Sequence, residues 1–215
     1  EISDNEELGI LVEYLSRKLS ETLTVSDAYK LHYPNHVNYA DLIAKEIRDM
    51  GGNSFANMYR GGEGPSYYEI VCNVADKLKV PYNKKRTVED IENAILEKIL
   101  VDAFEQMTDK EKEEFLSELN FKGRLGTGGI STSLLIAGFR AGGFKSYQLS
   151  VIIANAIAKM ILGRGLTWGT NRLITKTLGV LTGPVGWVIS GVWTAVDLAG
   201  PAYKVTIPSV IHIAM

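Results

Sequence analysis

The sequence predicts an all-α protein, and three observations carry that expectation. No stretch alternates apolar and polar residues long enough to make a half-buried strand. Apolar residues instead recur every three or four positions along several segments, the spacing that lines one face of a helix. Several of those segments open on a Ser or Thr followed three residues later by an acid, the pattern of a capping box.

The elements follow in order. Residues 3–19 carry Leu8, Leu11, Val12, Leu15 and Leu19 at helical spacing, with Ser3 and Glu6 placed as a capping box. A second helix starts near Asn38 and carries Leu42, Ile43, Ile47 and Met50, and Gly51-Gly52 supplies a left-handed stop. Pro65 suits the first turn of a third, with Tyr67, Ile70, Val71, Val74 and Leu78 on one side. Thr87 with Asp90 opens a longer helix through Ile91, Ile95, Ile99, Leu100, Phe104 and Met107. Thr108 with Glu111 opens the next, through Phe115, Leu116 and Leu119. Farther on, residues 146–162 are apolar almost all round, and 177–196 read as two short helical arms meeting at Gly183-Pro184. Pro201 and Pro208 argue against one continuous helix at the C-terminal end.

Charge divides this chain of 215 residues into two parts, although its net charge is only −2. Residues 1–122 hold 24 acids against 15 bases, a net of −9, whereas 123–215 hold Asp197 as their one acid against eight bases, a net of +7. Six of the 21 glycines precede the boundary, and all three tryptophans, Trp168, Trp187 and Trp193, follow it. The expected organisation is therefore an acidic amphipathic helical bundle at 1–122 and a glycine-rich, basic, apolar helical region at 123–215. With 46% apolar and 22% charged residues, disordered and collagen-like classes are excluded. One cysteine, Cys72, rules out an internal disulfide framework, and the acidic segment EISDNEELG is the opposite of a signal peptide's plan, so a cytoplasmic protein is expected.

Candidate chemistry is sparse. His32 and His36 are four apart, but Pro34 between them breaks a helix and no third ligand is near, so no metal is expected. The basic run Lys84, Lys85 and Arg86 lacks aromatic interleaving, so no nucleic acid is expected. GTGGIS at 126–131 and GFRAGGFKS at 138–146 miss the dinucleotide and P-loop patterns: the first lacks the third glycine and a preceding strand, and in the second Phe144 separates Gly143 from Lys145. The histidines and Cys72 show no catalytic spacing, which predicts a non-enzyme without cofactors. The polar stretch GGNSFANMYRGGEG, Gly51 to Gly64, is either two helix stops around a short helix or a binding loop using Asn53, Ser54, Asn57 and Arg60.

The basic half points to a membrane. Thr177 to Val196 run 20 residues without a charge, about the length a bilayer span needs. Small residues four apart, Gly138 with Gly142, Gly165 with Gly169, Gly179 with Gly183 and Gly191 with Ala195, would allow close helix pairing in lipid. Pro184 and Gly186 complete this set, and Trp187 and Trp193 suit an interfacial belt. Arg140, Lys145, Lys159, Arg164, Arg172 and Lys176 are candidates to meet anionic headgroups. The expectation is a protein at the inner face of the membrane that docks on or inserts into the bilayer, with pore formation or homo-oligomerisation as extensions and membrane lipid or a membrane protein as partner. The alternatives are docking of the +7 part on the −9 part, a soluble assembly chaperone-like protein sheltering an apolar client, or an enzyme of unknown type.

Three passages also carry a resemblance. GGNSFANMYRG at 51–61, GPVG at 183–186 and AYKVTIPSVIHIA at 202–214 resemble the YaaW-like family of bacterial proteins, over most of the chain. The resemblance implies a helical protein with a glycine-rich apolar C-terminal region. Through a weak grouping with the ubiquinol–cytochrome c chaperone family it also implies an assembly factor whose apolar groove holds a membrane-protein client. No catalytic residue is implied by it.

Overall fold

A computed structural model describes residues 4–16, 21–52, 61–119, 132–166, 183–189, 191 and 202–215, except the side chains of Glu21, Glu118, Phe144 and Lys145. These residues are all-α, with no strand among them. The elements are α1 (Asn5–Ser16), α2 (Glu21–Val25), α3 (Asp27–His32), a 3-10 turn (His36–Tyr39), α4 (Ala40–Gly51), α5 (Tyr67–Lys77), α6 (Val88–Glu105), α7 (Asp109–Glu118), α8 (Thr132–Arg140), α9 (Gly143–Leu162) and α10 (Tyr203–Ile213). Residues 183–189 are also helical.

Local signals decide where most helices begin. Thr87 and Thr108 each form a complete capping box, with Asp90 and Glu111 as reciprocal acids. Glu111 is held below the usual carboxylate range, chiefly by the Thr108 hydroxyl. At α1 the cap is shifted: Asp4 Oδ1 accepts from the amides of Glu6 and Glu7 at 2.8 Å each, and Glu7 reaches back to the Asp4 amide, so Asp4 and Glu7 do what was expected of Ser3 and Glu6. Ser66 caps α5, which leaves Pro65 outside the helix rather than in its first turn. Gly51 closes α4, and Gly52 after it has φ −94°, so the expected left-handed stop is absent; Gly51 is small because Ile70 packs on it.

The largest departure is α10. It runs unbroken through Pro208, with Val205 to His212 all buried. A proline in a helix interior costs about 3 kcal/mol. Burying Val205, Ile207, Val210 and Ile211, each 1% exposed or less, offsets this at roughly 1.5 to 3 kcal/mol per side chain. The helix lies at the centre of the core, against α1, α4, α5, α6 and α9.

α9 is apolar all round because it is also interior: Val151 to Ala158 are buried without exception, including Asn155. The Asn155 carboxamide oxygen accepts from the Leu166 amide at 2.7 Å, and Gly163 with φ +73° ends the helix so that the chain can return to it. Gly165 passes so close that an added Cβ would stand 2.5 Å from the same oxygen. One buried apolar cluster contains residues from each of these α-helices except α3, and Val185 and Ile189. The compositional boundary at 122–123 lies outside the described residues.

This packing removes 146–162 as a lipid-facing segment; of Thr177 to Val196, on which the bilayer expectation rested, 183–189 and 191 are described and the rest lie outside the described residues. The apolar surface of 151–158 is covered by protein, and among the described residues no helix is long and apolar enough to cross a membrane.

Candidate functional site

The bases chosen as headgroup ligands are where that correction is most concrete. Arg140 makes two hydrogen bonds to Glu97, at 2.7 and 2.6 Å, and Arg164 pairs with Glu13. Both pairs join the basic part of the chain to the acidic part. The Arg140 side chain is 68% exposed, so water screens the pair and Arg140→Gln is expected to leave the urea midpoint close to that of the wild type. Lys159 is exposed. Arg172, Lys176 and the side chain of Lys145 lie outside the described residues, as do Asn53, Ser54, Asn57, Arg60, Gly169, Gly179 and Trp193.

The remaining glycines separate into different roles. Gly138 is inside α8, whereas Gly142 and Gly143, both at φ +69°, turn the corner into α9. That corner lies between two helices, so GFRAGGFKS is not a strand-to-helix phosphate loop. Gly186 faces Met160, with 3.7 Å from its ideal Cβ to the sulfur, and Gly183 and Gly191 face open space. Pro184 is buried, as are Val185 and Ile189, and Trp187 points outward at 65% exposure.

His32 and His36 do not meet. The His36 ring is 2.5 Å from the Tyr39 hydroxyl through Nδ1, while His32 Nδ1 is 3.3 Å from the Asn38 carboxamide nitrogen. Asn5 fastens this corner by accepting from the His36 amide at 2.5 Å and donating to the Pro34 carbonyl at 3.1 Å. Among the described residues no three His, Cys, Asp or Glu side chains are grouped to hold a metal ion. Cys72 is buried and in no disulfide.

Buried polar groups are placed as packing devices. Tyr67 donates to Glu92 at 2.6 Å, tying α5 to α6, and burial raises the Glu92 carboxyl above its ordinary range while the tyrosine hydroxyl opposes that rise. Glu92 also lines a small recess of about 230 Å³ with Ser146, Tyr147 and Ser150.

A larger groove, of about 790 Å³, lies where α5 and α6 end against residues 183–191. α5 contributes Asp76 and Lys77 and then, past its end, Leu78 and Lys79; α6 contributes Lys98, Asp102, Glu105 and Gln106; Trp187, Val188 and Gly191 complete it. The α5 end is built by a left-handed residue, Lys79 at φ 56°, which lets the Val80 amide donate to the Ala75 carbonyl at 2.8 Å. Leu78, Trp187 and Val188 give the groove an apolar patch, and the other side chains ring it with charges of both signs. This combination of an aromatic anchor and a polar rim is the anatomy of a protein-docking surface.

Sequence reasoning singled out Trp187 and Gly191, placed Leu78 only on the apolar side of a helix, and passed over Lys79 and Glu105. Pro81, shortly after Lys79, is the sequence cue for the helix end. Nothing in the residue pattern brings that end beside Trp187, more than a hundred positions away.

Similarity to other proteins gives the family. The ubiquinol-cytochrome C chaperone family matches residues 35–211. A UPF0174 protein of Helicobacter pylori strain J99 is 51% identical over 200 residues, 92% of this chain and 78% of the relative. A UPF0174 protein of H. pylori strain 26695 is 41% identical over 201 residues, 91% of this chain and 96% of the relative. The UPF0174 protein YaaW of Escherichia coli K12 is 32% identical over 213 residues, 92% of this chain and 80% of the relative. No solved structure matches. Together with the interior position of α9, the chaperone-family match overturns the reading of a protein that inserts into or docks on lipid through its glycine-rich half. The expected resemblance is borne out: this chain belongs to the UPF0174 (YaaW) family, and its residues 35–211 match the ubiquinol-cytochrome C chaperone family.

Proposed function

We propose that this chain is a non-enzymatic, chaperone-type protein that holds a segment of a protein client in the groove around Trp187. The observation that carries the reading is the chaperone-family match over 35–211, a span that includes every residue lining the groove. The exposed indole supports it. A tryptophan 65% exposed above Leu78 and Val188 leaves apolar area in water that a partner would cover. A cytoplasmic setting is part of the proposal, supported by a sequence whose one cysteine, Cys72, builds no disulfide framework.

The test is suppression of aggregation. The full chain, added in stoichiometric amounts to a thermally unfolding citrate synthase, is expected to reduce light scattering, and Trp187→Ala is expected to lose most of that effect while keeping its helical circular dichroism. Equal protection by the wild type and Trp187→Ala, or no protection by either, would overturn the reading.

A further inference from the structure

The charges around the groove divide into engaged and unengaged groups. Lys98 pairs with Asp102 one turn along α6, the Lys77 ammonium lies 5.1 Å from the centre of the Tyr203 ring, and Asp76 interacts with the Tyr82 hydroxyl. The side chains of Lys79 and Glu105 make no ion pair, hydrogen bond or ring contact among the described residues. They are of opposite sign, and they stand at the ends of two neighbouring helices, α5 and α6.

Lys79 is unusual in a second way. Its φ of 56° is, among the described residues, the one positive φ outside glycine. Glycine is the common residue at this helix-end position, because an L side chain crowds the following carbonyl there. A lysine that carries this strain at the edge of a groove, with its ammonium unengaged among the described residues, points to work done by the side chain.

Resting on the chaperone-type reading, we propose that the groove selects a peptide segment in which a large apolar residue is flanked by an acid on one side and a base on the other. The apolar residue seats against Trp187, Val188 and Leu78. The acid pairs with Lys79 and the base with Glu105, so the two charges fix the direction in which the segment lies. The groove's volume of about 790 Å³ is within the roughly 300 to 1,000 Å³ that ligand clefts span. Both signs of charge disfavour an anionic lipid surface, which would meet Asp76, Asp102 and Glu105.

The experiment is selection of random twelve-residue phage-displayed peptides on the immobilised full chain. Enriched peptides are expected to carry an aromatic or large aliphatic residue between an acid and a base, and to be lost on Trp187→Ala. Lys79→Glu is expected to weaken a selected peptide about tenfold, and a peptide with its acid changed to lysine is expected to recover that loss. Glu105→Lys should do the same for the basic position. Lys79→Gly relieves the backbone and removes the ammonium, so it should melt higher than the wild type and bind more weakly, a split that a purely structural lysine would not give. Enriched peptides that ignore both charge reversals, or the absence of any Trp187-dependent peptide, would overturn the proposal. So would Trp187-dependent flotation with phosphatidylethanolamine and phosphatidylglycerol vesicles. If protection of citrate synthase still depends on Trp187 while peptides show no charge preference, the selectivity fails and the chaperone-type reading stands; protection independent of Trp187 removes that reading itself.

Discussion

Replacing Gly64 with alanine is expected to destabilise the protein by about 3 kcal/mol, the upper end for overpacking with partners that do not yield. An added Cβ would stand 2.3 Å from both the carbonyl carbon and oxygen of Arg48 and 2.6 Å from the Asp49 nitrogen, all backbone atoms of α4. Backbone in the last turns of a helix does not rotate aside as a side-chain tip does. The same approach is held by hydrogen bonds: the Gly64 amide donates to Asp49 Oδ1 at 3.1 Å, and the Arg48 guanidinium donates to the Pro65 carbonyl at 3.0 Å and the Gly64 carbonyl at 3.3 Å. Moving the chain outward to admit a methyl group would lengthen all three. It would also disturb the end of α4, whose Met50 carbonyl accepts from the Ala202 amide at 2.8 Å at the entry to α10. Thermal unfolding should show the change as a fall of about 10 °C for a chain of this size. Gly183→Ala is the contrasting variant: its Cβ meets nothing within 4 Å, so its melting temperature should stay within about 2 °C of the wild type, either way. A Gly64→Ala protein that melts with the wild type would show that this contact is looser than its geometry.

Gly64 also shows where sequence reasoning reaches and where it stops. The all-α class was legible because helical periodicity and capping are local, and the boxes at Thr87 and Thr108 stand where their spacing puts them. The glycine run at 51–64 was legible as unusual. Its two described close-packed members, Gly51 and Gly64, are glycine because Ile70 and the α4 backbone approach them. That is a tertiary fact with no local pattern. The same limit applies to 146–162: a helix apolar on all sides looks alike whether lipid or protein surrounds it. α9 is surrounded by protein, and the bases meant for headgroups, Arg140 and Arg164, reach Glu97 and Glu13 instead. Proline misled in the opposite direction at Pro208, where the burial of its neighbours outweighs the lost backbone hydrogen bond. The groove was the least legible feature, since Lys79, Glu105 and Trp187 come together only through the packing of α5, α6 and 183–189.

The second large effect is a pH dependence centred on His212. Its ring is 5% exposed in α10 and meets Tyr14 edge-on at 6.0 Å between centroids. Nε2 lies 3.2 Å from the Glu7 carbonyl oxygen, which can only accept, so Nε2 carries a proton in either charge state of the ring. Burial lowers its pKa from 6.5 to about 4, with the Glu7 carbonyl and the charge of Asp4 opposing the shift weakly. In the unfolded chain the same ring takes up a proton below pH 6.5, so the unfolded state binds more protons across the interval and the native state loses ground as pH falls. The stability tied to the neutral ring is thus complete above pH 6.5 and is lost progressively toward pH 4, to the extent of about 3 kcal/mol. Burial lowers His36 in the same direction and raises Glu92 in the other, so the wild-type curve alone does not isolate His212. The difference from His212→Gln does, because the carboxamide keeps a donor for the Glu7 carbonyl and does not titrate. Urea unfolding at half-unit steps from pH 7 to pH 4 should show the wild type losing stability relative to the variant, whatever their offset at pH 7. Parallel curves would mean that the native protein admits a charged His212, and so that water or an acid reaches the core between α1 and α10.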